Sequence, residues 1–274
     1  MSQHAEFAGN PADEAKIIWL SDPHFIADGL VLGHDPRQRL SAVISHINAH
    51  HSDAAFCVIS GDMVNRGSPE DYAALAEHLQ QLTIPYYPLV GNHDDRALFR
   101  ASLALPASVT DDFIQYEVEV GNRLILALDT QKAGSGAGLY CEERQAWLRQ
   151  TLERAGDRRV ILFMHHHPVP LGLPMQDTEG LENGAEFMEL LSAYRDRIDY
   201  LCIGHVHRPI TGIVNGFPLA TMRSVLYQAP APEPAWDWNS FRPAEEAPNM
   251  GVLRLSSTGV LLHYHQFCPY GLGT

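Results

Sequence analysis

The sequence predicts an α/β fold in which two packed β-sheets carry helices on their outer faces. Short β-rich runs alternate with amphipathic helices in the first half, whereas the last part is mostly β. Because these two parts do not fit easily into one open parallel sheet, we expect two sheets packed against each other. The 274 residues are 45% hydrophobic and 19% charged, a composition typical of a globular protein with a substantial core.

The elements of the first half follow from apolar periodicity and helix-start signals. A buried strand is predicted at 15–20, "AKIIWL", and the helix "RQRLSAVISHINAHH" carries an i, i+3, i+4, i+7 apolar stripe from Leu40 to Ile47. The helix "SPEDYAALAEHLQQL" begins with Ser68 as N-cap and Pro69 at its first position. The flanking runs "AAFCVIS" and "PYYPLV" are predicted strands.

The second half contains two helices and a series of strands. The predicted helices are "CEERQAWLRQTLERA" and "AEFMELLSAYRDR", and the predicted strands are "FIQYEVEV", "GNRLILALD", "DRRVILFM", "IDYLCIG", "PITGIVNG", "FPLATMR", "MGVLRLS" and "GVLLHYHQF". We expect residues 1–14 to form a flexible tail and 15–274 a single domain. Residues 229–248, rich in proline and acid, form an insertion: a surface loop, or a lid or subunit contact through Trp236 and Trp238.

Charge and composition exclude several classes of protein. The net charge of −14 argues against binding a nucleic-acid polymer, which requires a basic surface. No apolar run approaches the roughly 18 residues of a membrane span, and the polar, acidic N-terminus does not resemble a secretory signal. No CxxC pair occurs among Cys57, Cys141, Cys202 and Cys268, so we expect structural thiols and a cytoplasmic protein.

Five polar segments share one placement, directly after an apolar strand. They are "SDPH" at 21–24, "GD" at 61–62, "GNHD" at 91–94, "HHHP" at 165–168 and "GHVH" at 204–207. The loops that follow the carboxyl ends of strands gather at one edge of an α/β sheet, which is where ligands bind. The fold therefore predicts that these polar side chains meet in space.

The combined donor set predicts a dinuclear metal centre. The donors are Asp22, His24, Asp62, Asn92, one histidine of the run, His205 and His207. Seven such ligands suit two ions about 3.5–4 Å apart, with a carboxylate between them, and Asp62 is the candidate bridge. The pairs spaced i, i+2 are expected on extended backbone, which points both side chains to one side. The preceding glycines are expected to permit tight turns.

Oxygen and imidazole ligands without thiolate indicate Fe, Mn or Zn in a catalytic site. Two divalent ions, two aspartates and a hydroxide leave a charge of about +1, which attracts phosphate, and metal lowers the pKa of bound water from about 16 to about 7. Each segment alone has a simpler explanation; "GD" is often a turn and "GHVH" could be two buried structural histidines. The five together are hard to explain by packing.

These motifs resemble the signature of the calcineurin-like metallophosphoesterases, from about residue 15 to about residue 222. The resemblance implies a four-layer α/β/β/α sandwich of two mixed sheets flanked by helices. Within that superfamily, "GNHD", "MHHHPVP" and the β-rich C-terminal part are similar to class III cyclic-nucleotide phosphodiesterases and to the related bacterial glycerophosphodiesterases.

The resemblance also implies residue roles. One ion would be held by Asp22, His24, Asp62 and His207, and the other by Asp62, Asn92, His165 and His205. His93 would protonate the leaving oxygen or stabilise the transition state, unless it is a structural residue that orients Asp62 or Asn92. Asp94 could fix the tautomer of a neighbouring imidazole, His166 would support the site or face substrate, and His167 would be a loop residue.

Two departures separate the chain from other branches of that superfamily. In "GDMVNRG", Asn65 replaces the second aspartate of the protein serine/threonine phosphatase motif "GDxVDRG". The tyrosine that purple acid phosphatases use to bind ferric iron has no counterpart at its position. Both departures point away from those branches.

The expected function is hydrolysis of small phosphodiesters, above all 3′,5′- or 2′,3′-cyclic nucleotides, by a metal-bound hydroxide. The alternatives are a glycerophosphodiesterase, a phosphomonoesterase or nucleotide pyrophosphatase on the same centre, and a non-catalytic metal-binding module. A small phosphodiester is the expected partner, with neither a nucleic-acid polymer nor a membrane. The resemblance also implies that the chain forms a homo-oligomer, either a dimer or a larger assembly.

Overall fold

Each of the first three strands is followed by a helix, whereas several of the later strands follow one another directly. The computed structural model describes residues 14–233 and 237–274. The strands are β1 Ala15–Leu20, β2 Phe56–Ser60, β3 Tyr86–Leu89, β4 Tyr116–Val120, β5 Arg123–Leu128, β6 Arg159–Met164, β7 Ile198–Ile203, β8 Thr211–Val214, β9 Phe217–Thr221, β10 Asn249–Ser256 and β11 Gly259–Gln266. The helices are α1 Pro36–His50, α2 Pro69–Leu79, α3 Arg96–Ser102, α4 Glu142–Arg154 and α5 Gly184–Ser192, with 3₁₀ turns at Gln176–Glu179 and Arg195–Arg197.

The strands form two mixed sheets. The first has the order β11-β10-β1-β2-β3, in which β1, β2 and β3 are parallel and β10 runs antiparallel to β1. The second has the order β4-β5-β6-β7-β9-β8, with a parallel centre and antiparallel edge strands. The late strands β10 and β11 therefore extend the sheet that β1 begins.

The two sheets pack against each other, and helices cover their outer faces. Between the sheets, the rings of Trp19 and Phe163 meet edge to face at 5.6 Å, and the hydroxyl of Tyr264 donates to the carbonyl of Thr221. Buried residues of α1 and α2 join the core around the first sheet, whereas Leu148 of α4 and Phe187 of α5 pack against the second. The prediction of a four-layer α/β/β/α sandwich is confirmed.

The helix starts show how local chemistry sets the boundaries. Ser68 caps α2 by accepting from the backbone N–H of Asp71, with Pro69 at the first helical position, as predicted. Asp95 caps α3 in the same way by accepting from Leu98. The sequence analysis did not predict α3, because seven residues are too few to show a helical period.

The described parts of segment 229–248, residues 229–233 and 237–248, contain no helix or named strand, and an isolated bridge pairs Gln228 with Ala244. Trp238 is 53% exposed, whereas Trp236 and the predicted N-terminal tail up to residue 13 lie outside the described residues. All four cysteines are free thiols. Within 14–233 and 237–274, no helix has the length and apolar character needed to cross a bilayer.

Candidate metal centre

The five polar segments meet at the carboxyl ends of β1, β2, β3, β6 and β7. The Nε2 atoms of His24 and His207 are 3.0 Å apart. Nε2 of His165 lies 3.1 Å from Oδ1 of Asn92 and 3.4 Å from Oδ1 of Asp62. Strands from both sheets therefore supply donors to one small volume, and all seven predicted metal ligands lie in or beside it.

Asp62 occupies the middle of this volume. One group of mutually close ligand atoms joins it to His24 and His93, and another joins it to Asp22 and His165. Two further groups contain the remaining imidazoles: Asp22, His24 and His207, and His165, His166 and His205. Oδ2 of Asp62 lies 3.5 Å from Nε2 of His24 and Oδ1 lies 3.4 Å from Nε2 of His165, so its two oxygens face different imidazoles, which is the placement required of a bridge between two ions.

The backbone of these loops differs from the predicted extended conformation. Five predicted ligands lie in the left-handed region, with φ of 52° for Asp22, 42° for His24, 47° for Asp62, 70° for His205 and 49° for His207. The expectation that extended backbone aligns the i, i+2 pairs is wrong. Left-handed turns at both members of each pair direct the side chains inward, at a cost of about 1–2 kcal/mol per residue.

The glycines before the ligands serve mainly to leave space. Gly61 has a φ of 96°, which favours glycine, but Gly91 does not lie in the left-handed region. A Cβ at Gly91 would collide with Oδ1 and the backbone nitrogen of Asp62, and one at Gly61 would collide with the ring of His165. Of this pair, Gly61 makes the predicted tight turn and Gly91 does not.

Backbone carbonyls fix the orientation of two imidazoles. The Nδ1–H groups of His165 and His207 are placed to donate to the carbonyls of Ser60 and Tyr227, at 2.9 and 3.0 Å. This leaves the Nε2 lone pair of each ring directed at the centre, which is the form that binds metal.

The second and third histidines of the run have other surroundings. His166 contacts the Thr130 hydroxyl through Nδ1 and the Gly136 carbonyl through Nε2, at 2.8 and 3.1 Å. Neither of these partners is a predicted metal ligand, whereas Nε2 of His165 lies beside the predicted ligands Asn92 and Asp62, which favours His165 as the ligand. His167 follows in a buried loop, with its Nε2 3.5 Å from a carboxylate oxygen of Asp177.

The electrostatics favour cations. Burial would raise the pKa of Asp62, but the imidazoles of His165 and His93 outweigh it and hold that pKa well below its usual value. Burial lowers the pKa of His24 to about 3 and that of His205 well below its ordinary value. The centre therefore combines an ionised carboxylate with neutral imidazoles at His24 and His205, whereas burial is outweighed at His165 by Asp62 and Asp22, which raise its pKa to about 9.

The unsatisfied atoms fit a pair of metal ions. Nε2 of His205 is buried without a hydrogen-bond partner among the described residues. Nδ1 of His24 is likewise buried without a partner in the described part of the chain, and Nε2 of His24 lies only 3.0 Å from Nε2 of His207. Buried polar atoms without partners are costly, and a cation would satisfy these donors. Carboxylate, amide and imidazole donors suit Fe, Mn or Zn.

His93 lies at the exposed rim of the centre. Its ring packs edge to face on His24 at 4.7 Å, and its Nδ1 is 3.0 Å from the carbonyl of Asn65. Its backbone N–H donates to Oδ1 of Asp62, and the Asp62 charge raises the pKa of His93. The backbone N–H of His93, and not its ring, orients Asp62, so the exposed imidazole of His93 is available for another role.

Asp94 has a different set of partners from the predicted one. Its carboxylate accepts hydrogen bonds from the backbone N–H groups of Met63, Val64 and Gly91, and from the hydroxyl of Tyr72. None of these partners is an imidazole, so the interpretation that Asp94 fixes a histidine tautomer is wrong. Asp94 joins the loop after β3 to the loop after β2, because both loops present N–H groups to its buried carboxyl group, whose pKa burial and the Asp62 charge raise to about 7.

Two contributing residues were missed by the sequence analysis. Thr130 holds His166, and the Gln131 amide donates to the carbonyls of Gly91 and Asp94 at 2.7 and 2.5 Å. Both lie in "LDTQ", directly after the apolar strand β5. The rule that selected the five segments therefore also selects this one, but threonine and glutamine did not stand out as metal ligands.

Comparisons with known proteins place the chain among phosphoesterases. The family model described as calcineurin-like phosphoesterase matches residues 15–209. A probable cyclic nucleotide phosphodiesterase of Rhodopseudomonas palustris is 36% identical over 78% of this chain and 79% of its own length.

Two other relatives and one solved structure agree with this placement. The glycerophosphodiester phosphodiesterase GpdQ of Enterobacter lignolyticus is 31% identical, over 77% of each chain. The 3′,5′-cyclic adenosine monophosphate phosphodiesterase CpdA of Pseudomonas aeruginosa is 30% identical, over 76% of this chain and 75% of its own. A dimetal phosphatase from Danio rerio shares the fold, with a TM-score of 0.69, 14% identity and coverage of 93% and 97%.

Proposed function

The chain belongs to the calcineurin-like phosphoesterase family, and from that premise we propose that it is a metal-dependent phosphodiesterase acting on cyclic nucleotides. The observation that carries this proposal is the position of Asp62 between two groups of inward-facing donors. Relatives at 29–36% identity that carry the names of phosphodiesterases support the reaction class.

Each ligand has a place in the proposed centre. Asp22, His24, Asp62 and His207 would hold one ion, and Asp62, Asn92, His165 and His205 the other. Two ions bound there supply positive charge for the phosphate oxygens and lower the pKa of water to about 7. Fe, Mn and Zn all fit the donors.

The protein groups around the centre orient the reacting parts. The Asn65 carbonyl accepts from Nδ1–H of His93 and the Asp62 charge raises the pKa of His93, so the protonated ring keeps its Nε2–H free to give a proton to the departing alkoxide. The carbonyls of Ser60 and Tyr227 keep the rings of His165 and His207 from rotating. Positioning of this kind contributes to rate because the groups need not reorganise during the reaction.

A line of aromatic rings favours a nucleoside over a glycerol substituent. The ring of Tyr227 lies 4.4 Å from His207, Phe241 lies 6.1 Å from Tyr227, and Trp238 lies 5.9 Å from Phe241. Flat rings that lead outward from a phosphate site suit stacking of a base, which is worth about 1–3 kcal/mol per base. We therefore assign Phe241 and Trp238 of segment 229–248 to base recognition.

A substrate panel tests this assignment. We expect kcat/KM to be highest for 3′,5′-cAMP or 2′,3′-cAMP, lower for glycerophosphoethanolamine and lowest for a monoester. Phe241→Ala should reduce kcat/KM for the cyclic nucleotides about tenfold and leave glycerophosphoethanolamine unchanged. Phe241→Leu, a size-matched control without a flat ring, should behave like the alanine variant. A native preference for glycerophosphoethanolamine, or equal losses on both diesters, contradicts the assignment.

Two further points complete the proposal. Four free thiols fit a reducing compartment, and we place the enzyme in the cytoplasm. A homo-oligomer stays a prediction, which sedimentation velocity on the purified chain would test.

A further inference from the structure

Five histidines gather on the outer face of the first sheet and share no residue with the metal centre. His46 and His50 lie on the last turns of α1, His51 caps that helix, and His263 and His265 lie on the edge strand β11. We call these five residues the outer histidine cluster. A groove of about 700 Å³ opens beside it and is lined by four of the five, together with Lys16 and Asp53.

The rings are in mutual contact. His51 lies centrally, with the ring of His46 on one side and that of His265 on the other, each at 5.6 Å. His50 lies 4.7 Å from His46, one helical turn along α1. When two imidazoles bind one ion at about 2.0–2.1 Å, their ring centres lie about 5–6 Å apart, which is the spacing of His51 from His46 and from His265. The nitrogens of these three rings do not form a group of mutually close ligand atoms in the described chain, so the rings must first rotate.

One nitrogen of the cluster lacks a partner. Nδ1 of His51 is buried without a hydrogen bond among the described residues, and His51 as a whole is 8% exposed. A buried polar atom without a partner is uncommon in proteins and indicates a missing ligand or water. The two flanking rings are only half-buried, so a change of rotamer can bring their nitrogens towards the same point.

We propose that the outer histidine cluster binds one transition-metal ion of the Zn²⁺, Ni²⁺ or Cu²⁺ class, through His46, His51 and His265, with His50 as the fourth donor. Two histidines spaced i, i+4 on one helix face are a recurrent chelating pair. A third ligand from β11 joins the helix to the edge of the sheet.

The local charges agree with this assignment. Burial lowers the pKa of His51 to about 4 and also lowers those of His46 and His265, so the rings are neutral, as ligation requires. Lys16 and Arg254 bring positive charge to the groove, and the ion pair of Lys16 with Asp53 offsets part of it.

The test counts metal ions on protein without a histidine tag. The native chain and the double variant His46→Ala/His265→Ala are incubated with excess Zn²⁺, desalted and analysed by mass spectrometry for metal. We expect one ion fewer per chain in the variant, about two instead of about three. His78→Ala, which removes a half-buried histidine outside the cluster, is the matched control and should retain the native count.

Further readouts separate this proposal from the proposed function. The double variant should keep native phosphodiesterase activity and the native circular dichroism spectrum, and Zn²⁺ should raise the unfolding midpoint of the native chain more than that of the variant. If the dinuclear centre does not exist, the difference of one ion between the two proteins still holds. Equal zinc content in the native chain and the double variant would overturn the proposal.

Discussion

The metal centre and the outer histidine cluster use the same side chain in two different ways. In the centre, the imidazoles are buried, and carbonyls of Ser60 and Tyr227 fix two of them. In the outer cluster, the rings stand on a regular helix and strand and contact mainly one another. The first region is preorganised, whereas the second must adjust its rotamers before it can bind an ion.

This difference has an energetic counterpart. The centre keeps five non-glycine residues at positive φ, each at a cost of about 1–2 kcal/mol, and no residue of the outer cluster has a positive φ within the described chain. Such strain persists only where surrounding packing holds it, and it belongs to sites whose geometry must not change during a reaction. We infer that the centre is built for catalysis and the outer cluster for binding alone.

The largest effect should come from removing the shared carboxylate. Asp62→Ala should lower kcat/KM on bis(p-nitrophenyl) phosphate by about 10³-fold or more and reduce bound metal, because both groups of donors lose a member. The outer double variant His46→Ala/His265→Ala should retain activity. Near-native turnover by the Asp62 variant would contradict the dinuclear mechanism and with it the distinction between the two regions.

A smaller loss should follow from adding a single methyl group. Gly91→Ala places a Cβ against the carboxylate and the backbone nitrogen of Asp62, so the loop that carries Asp62 must move, and we expect a loss in kcat of about 10²-fold. Gly212→Ala is the matched control, because no atom lies within 4 Å of its added Cβ. Steady-state kinetics with circular dichroism measures both. Equal activity of the two variants would show that the metal centre tolerates displacement of Asp62.

Much of this arrangement could be predicted from the sequence. The apolar runs predicted β1 to β11, because buried strands leave a pattern that does not depend on distant contacts. The rule that ligands follow strand ends then selected Asp22, Asp62, Asn92 and His205, which the structure brings together. The residues were predictable because their chemistry is unusual at that position.

The remaining features depend on contacts that a single segment does not encode. The left-handed backbone of Asp22 and His24 arises from tertiary packing, and the space around Gly91 is set by Asp62 from another strand. Asp94 was assigned the wrong partner because the N–H groups it accepts from come from two different loops. Such contacts become visible only when the loops lie side by side.

Loss of a supporting residue should have an intermediate effect. Gln131→Leu removes the amide that donates to the Gly91 and Asp94 carbonyls, so the loop that carries Asn92 and His93 should loosen. We expect a loss of about 10–100-fold in activity or metal affinity. Gln80→Leu, at the exposed end of α2, is the control and should stay near native. A native metal affinity and turnover in Gln131→Leu would mean that the loop is rigid without this amide.

The smallest effect concerns His34, a buried histidine that belongs to neither region. Arg39 donates to its Nδ1 at 3.2 Å, and burial, together with that guanidinium, lowers the pKa of His34 to about 4. Between pH about 6.5 and about 4 the unfolded chain binds a proton at this residue that the folded chain does not, so His34 contributes less stability as the pH falls.

His34→Gln, which cannot titrate, should therefore lose less stability than the native chain on acidification. We expect the difference between the two proteins in ΔG of urea unfolding to change by about 2 kcal/mol between pH 7 and pH 4.5, measured with a chelator present so that metal release does not contribute. Parallel pH profiles would mean that His34 takes up its proton in the folded state as readily as in the unfolded chain. Burial and the Arg39 guanidinium would then be insufficient to keep His34 neutral. Burial would equally be insufficient to explain neutral imidazoles in the outer histidine cluster, on which its contrast with the metal centre depends.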